Sequence, residues 1–225
     1  AGFSALAFIL TAAFLKESPQ RQSHPKVSIF STLPKLLSHR GLATVFATQF
    51  IFMIIFSAFE TSFSLYTLQR IGLGAAENSQ LYLFIGILAL IIQGSLMRFS
   101  LPKIYYVSIV GLLFAGLSFS ILNWSSNIPT LLIGLATLCI GVALLNVHLP
   151  TLATLASEQF SSGQVMGVFE SIASISRIIG PFVIYHFAAE LTTGYWALSL
   201  ALFIWAAVLL AYRPQSLTNI RKGGS

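Results

Sequence analysis

FESIASISRIIGPF, residues 169–182, reads as the middle of a membrane helix, yet it carries Glu170 and Arg177 seven positions apart. Residues 3, 4, 7 and 11 apart share one helical face. That spacing puts Gly163, Gly167, Glu170, Ser174, Arg177 and Pro181 on one stripe and Val165, Val168, Ile172, Ile175, Ile179 and Val183 opposite. One stripe is for lipid, the other for protein or water. A guanidinium at mid-membrane costs from about 2.5 to more than 10 kcal/mol, so Arg177 is expected to face the bundle interior with a partner or a wet cavity.

The surrounding chain supports this setting. Of 225 residues, 56% are hydrophobic and 8% charged, against roughly a quarter charged in soluble domains, and the mean hydropathy is +0.85. A span needs about 20 apolar residues. Such windows occur at 41–66, 80–97, 104–122, 128–149, 164–187 and 193–212, giving six full helices. They are continuous rather than alternating, which excludes a barrel of short strands. Residues 1–15 are too short for a span and read as the end of a truncated transmembrane helix. No basic start precedes that run, so it is not a cleavable signal peptide. The fold class is an all-α membrane protein.

Basic residues orient the spans, because Lys and Arg collect in cytoplasmic loops. Lys16, Arg21, Lys26, Lys35 and Arg40 precede the first full span, Arg98 and Lys103 follow the second, and Arg213, Arg221 and Lys222 lie in the tail. Only Arg70 lies on the other side. Both ends of the segment are therefore expected in the cytoplasm. Residues 16–40 read as a cytoplasmic linker with a short amphipathic, interfacial piece at 27–37, residues 41–212 as the six-helix domain and 213–225 as a cytoplasmic tail. The net charge of +6 is spread over these connectors, with no basic face or motif for nucleic acid. Cys139 is the only cysteine, so there is no disulfide framework or thiolate metal site, and no cofactor is expected. No HExxH, GxSxG or Asp pair is present, which argues against an intramembrane enzyme.

Polar residues inside spans are the candidate sites. Glu60 and Arg177 each fall roughly 10 Å below the same membrane surface, so they can meet. Gln49, Met53, Phe56, Glu60 and Thr67 share a face of the first span. Gln49, Gln93, Asn146, His148 and Glu170 fall in the other half of the membrane; the amides can join helices by hydrogen bonds, His148 can reach interfacial water, and Glu170 can be neutral. Gly180 and Pro181 mark either a packing crossing or a flexing point, and Pro150 a helix boundary. Glycines in LFIGILALIIQG and LLIGLATLCIG suggest close helix contacts.

The run LPTLATLASEQFSSGQVMGVFESIASISRIIGPFV resembles the tenth and eleventh helices of the major facilitator superfamily, particularly its TetA-like drug/proton antiporters. There a G-x-x-x-G-x-x-x-S pattern leads to R-I-x-G-P. SAFETSFSLYTLQRIGLGAAENSQLYLFIGILALIIQGSL resembles that group's seventh and eighth helices. The loop motif G-x-L-x-D-R-x-G-R-K survives only as GSLMRFSLPK, which puts an intact charge latch in doubt. The resemblance implies the C-terminal half of a carrier in a bacterial inner (plasma) membrane. It also implies a missing N-terminal six-helix half, a small-molecule substrate between the halves, and proton-coupled export of small organic compounds or drugs by alternating access. The first and fourth spans would line the cavity with Gln49, Glu60, Asn146 and His148. The second and fifth would lie beside it with Gln93, Glu170 and Arg177, and Gly167, Gly180 and Pro181 would serve packing or gating. The alternative is a six-helix protein with a structural or regulatory role and no transport of its own.

Overall fold

An apolar chain in hydrocarbon must satisfy its backbone polar groups internally, and the helix does so within one segment. The computed structural model describes residues 11, 34, 36–96, 103–157, 160–187, 191–212 and 217. Its elements are α1 (Arg40–Ile71), α2 (Ala75–Leu96), α3 (Ile104–Trp124), α4 (Ile128–Leu155), α5 (Ser162–Phe187) and α6 (Leu191–Tyr212). Each is long and apolar enough to cross a membrane, and no strand occurs among the described residues. Most of the expected stub at 1–15, of the linker and of the tail, with Arg98 and most of GSLMRFSLPK, lies outside the described residues.

Three helices exceed their expected bounds by five or six residues, α2 by beginning at Ala75 rather than at 80. α1 continues past residue 66 until Gly72, whose φ of 79° is left-handed and whose N–H reaches the Leu68 carbonyl. Glycine takes this conformation without steric penalty, so the sequence Ile71-Gly72 stops the helix there. α4 contains Pro150 rather than ending at it, running on to Leu155. Pro150 is therefore no boundary: a proline costs one backbone donor, and flanking turns held by packing can absorb that. Leu149, Leu152 and Ala153 are all buried around it.

The helices meet where small residues remove the steric barrier. α3 lies against α4 and α6, α5 against α1, and α2 chiefly against α4. A Cβ on Gly141 would stand 2.7 Å from the Ala115 nitrogen and 2.8 Å from the Gly111 carbonyl oxygen, so α3 and α4 touch backbone to backbone. On α6, the Ser199 hydroxyl donates to the Gly116 carbonyl at 2.8 Å. Trp205 Nε1 donates to Thr48 Oγ1 at 3.1 Å, joining α6 to α1. Gly134 and Gly141 thus behave as the sequence suggests, whereas added Cβ atoms on Gly86 and Gly94 would meet nothing within 4 Å. Cys139 is buried on α4 and its thiol points to the Ile85 carbonyl of α2 at 3.8 Å.

The end holding the α1–α2 and α3–α4 turns is closed by aromatic rings. Tyr66 and Tyr195 stack at 4.5 Å, and Phe59 packs at 5.0 Å on Phe63 and 5.6 Å on Phe119. These rings are almost fully buried. The α1–α2 turn is held by Asn78, whose amide donates to the Leu73 and Gly74 carbonyls while its oxygen accepts from Thr67 Oγ1 at 2.7 Å.

Candidate functional site

The polar stripe of α5 is not turned into this six-helix body. Val165, Val168, Phe169, Ala173, Ser176 and Ile184 are buried, while Gly163, Gly167, Glu170, Ser174 and Arg177 are exposed. The expectation that Arg177 faces the interior is thus corrected for this body. The physical reason is that α1 and α5 meet too closely at Gly180 to admit a guanidinium, which would lose its hydration there without compensation. The exposed stripe is not unsatisfied locally. Ser171 and Ser174 donate to the Gly167 and Glu170 carbonyls at 2.7 and 2.9 Å. Added Cβ atoms on Gly163 and Gly167 would meet nothing within 4 Å, so Gly167 is not a packing glycine within this body.

Gly180 is. It is buried, and a Cβ there would stand 2.7 Å from the Ile54 carbonyl oxygen and 2.8 Å from both the Ala58 nitrogen and Ser57 Cβ. This crossing sets α5 against α1. Ser57 Oγ donates to the Arg177 carbonyl at 3.0 Å. Farther along, Tyr185 donates its hydroxyl to the Thr61 carbonyl at 3.0 Å. The result brings the exposed Glu60 of α1 within electrostatic reach of Arg177, with Tyr82 of α2 also within the carboxylate's field. Glu60 and Arg177 thus lie on exposed faces of α1 and α5, within electrostatic reach of each other.

The other candidates are scattered. Gln49 is buried in α1 and Gln93 half-buried in α2. Asn146 is exposed on α4, and His148 is buried two residues on, with Nδ1–H donating to the Leu144 carbonyl at 2.8 Å. That bond fixes the ring on its own helix. Among the described residues Gln49, Gln93, Asn146, His148 and Glu170 do not form one hydrogen-bonded cluster. The expected face of α1 also divides: Gln49, Met53 and Thr67 are buried, Phe56 is half-buried and Glu60 is exposed. α1 is surrounded along most of its length, so one periodic stripe cannot describe its contacts. Ser57, Thr61 and Tyr185 went unnoticed in the sequence. The only signal was the proline at 181, which requires some donor for the carbonyl four residues earlier.

A family profile described as Major Facilitator Superfamily matches residues 1–181. Curated relatives described as major facilitator superfamily domain-containing protein 10 are 28% identical in Mus musculus over 148 residues and 30% identical in Bos taurus over 154 residues. These matches cover 64% and 66% of this chain but 32% of each relative, so they span about a third of the relatives' length. Among solved structures, the crystal structure of the human organic anion transporter MFSD10 (TETRAN) matches with a TM-score of 0.67 and 22% identity. It covers 92% of this chain and 46% of that one, and at this identity the likeness concerns the fold.

Proposed function

Because the chain belongs to the major facilitator superfamily, we propose that it works as the C-terminal half of a secondary transporter, with a second six-helix body over the polar face of α5. A small organic compound then passes between the two bodies as they rock about a site near the midplane. The observation that carries this reading is the placement of Glu60, Glu170 and Arg177 on exposed faces of helices that are otherwise apolar. Charges left against acyl chains cost several kcal/mol each, so a covering protein surface or a wet path is required there.

The coupling ion proposed is the proton. Glu60 and Glu170 are the carboxylates available to change protonation, and Arg177 biases Glu60 through its charge. The direction proposed is export, the substrate class small organic compounds. Organic anions belong in the panel because Arg177 offers a positive charge beside the path and the solved relative carries that description. The membrane is left open: the named relatives are animal proteins, so a bacterial inner membrane is not favoured by them.

The test is flux. The full-length protein is reconstituted in liposomes and a panel of organic anions, cations and neutral drugs is followed with and without a pH gradient. Gradient-driven flux that is lost in Glu60→Gln or Glu170→Gln supports the reading. Coupling unchanged in both variants removes these carboxylates from the mechanism. No flux of any compound favours a structural or regulatory protein.

A further inference from the structure

Pro181 lies inside α5 and has no N–H. In an unbroken helix the donor at 181 would reach the carbonyl of 177, four residues back, and the proline ring also crowds that oxygen. The Arg177 carbonyl therefore loses its partner within the helix. It does so where Gly180 presses α5 onto the α1 backbone at Ile54 and Ala58. An orphaned carbonyl in such a place is unfavourable, and the great majority of buried backbone acceptors find a donor. Here the donor is Ser57 Oγ, 5% exposed, at 3.0 Å.

We propose that Ser57 is a positioning residue for Arg177: by donating to the carbonyl that Pro181 frees, it holds the Arg177 turn in register with Glu60 one turn along α1. Two hydroxyls cross this seam, those of Ser57 and Tyr185, and a third lies within α1. Thr61 Oγ1 donates to the Ser57 carbonyl at 2.9 Å, and the Thr61 carbonyl in turn accepts from Tyr185. Only the Ser57 bond acts on the residue that bears the guanidinium. Glycine supplies the approach, proline the free acceptor and serine the donor, so the three residues form one device. The consequence for transport rests on the reading above, because a fixed Glu60–Arg177 spacing matters most if that pair governs protonation. The contact itself does not depend on it.

The test therefore uses a readout independent of flux. In full-length protein whose own cysteines are replaced by alanine, including Cys139→Ala, cysteines are introduced by Glu60→Cys and Arg177→Cys. They are cross-linked in membranes with a short bifunctional thiol reagent. Ser57→Ala is expected to slow cross-linking about fivefold, the loss of one net hydrogen bond. Pro181→Ala restores the helix's own donor, so Ser57→Ala in that background is expected to be silent. Equal slowing in both backgrounds, or none in either, overturns the proposal. Should Ser57→Ala fail to reach the membrane, recovery of the protein by Pro181→Ala supports the coupling, and continued failure overturns it. Flux is measured separately in protein that keeps Glu60 and Arg177, with and without Ser57→Ala: coupling of Ser57 and Pro181 in the cross-linking rates with flux unchanged by Ser57→Ala leaves the positioning role standing and removes its functional consequence.

Discussion

Replacing Gly180 by alanine adds one methyl group at the tightest point between α1 and α5. The new carbon would stand 2.7 Å from the Ile54 carbonyl oxygen and 2.8 Å from the Ala58 nitrogen, where ordinary contacts need about 3.5 Å. Both neighbours are backbone atoms, so no rotamer change relieves the clash, and the helices must part by about 0.8 Å. Overpacking of this kind costs about 1–3 kcal/mol, and parting also stretches the 3.0 Å bond from Ser57 to Arg177, worth about 1 kcal/mol. Against this, alanine is the better helix former by about 1 kcal/mol. A net loss of about 2 kcal/mol should lower the melting temperature by about 4–8 °C for a chain of this size. The assay is thermal unfolding of the 225-residue chain in detergent, with Gly167→Ala as control. That site has no neighbour within 4 Å of an added Cβ, so only the propensity gain remains and the melting temperature should hold or rise. Equal behaviour of the two variants would refute the close crossing.

Gly72→Ala should cost about 1 kcal/mol through its left-handed φ of 79° alone, since nothing lies within 4 Å of the added carbon. Gly72→Asn should cost less, and denaturation midpoints in detergent compare the two. Asn78→Ala removes three hydrogen bonds at the α1–α2 turn and should cost about 2 kcal/mol or more, with Thr67→Ala nearer 1 kcal/mol. Cys139, buried between α4 and α2, should resist a membrane-permeant maleimide in the folded protein and react on heating. Full labelling in the cold would show that α2 does not pack on α4 as described.

Six spans were legible because continuous apolar length is a local property, whereas the end of α1 at Gly72 was missed by five residues. The polar stripe of α5 was legible from period, but the opposite stripe only in part, since Val165 and Val168 are buried while Ile175 is exposed. Which of them a neighbour covers was not: Val168 and Arg177 lie on opposite stripes whichever stripe packs, and only the contact with α1 decides. The same holds for glycines. Gly167 and Gly180 look alike in sequence, but one faces open space and the other a backbone. Glu60 and Arg177 were assigned one depth from the rise per residue, and the structure puts both on exposed faces within electrostatic reach. His148, expected to reach interfacial water, is instead buried with its ring bonded to the Leu144 carbonyl, a choice made inside its own helix. Pro150 misled for a related reason, since tertiary packing on Leu149 and Leu152 outweighs a single missing donor.

The stacked rings at the α1–α2 end have a mechanical consequence. Phe59, Phe63, Tyr66, Phe119 and Tyr195 draw on three helices, and each aromatic pair contributes about 0.5–1.5 kcal/mol beyond area. Sliding any one of α1, α3 and α6 would break several such pairs at once. Load placed on this end is therefore shared among them, and the trio tilts like a single stiff lever instead of shearing.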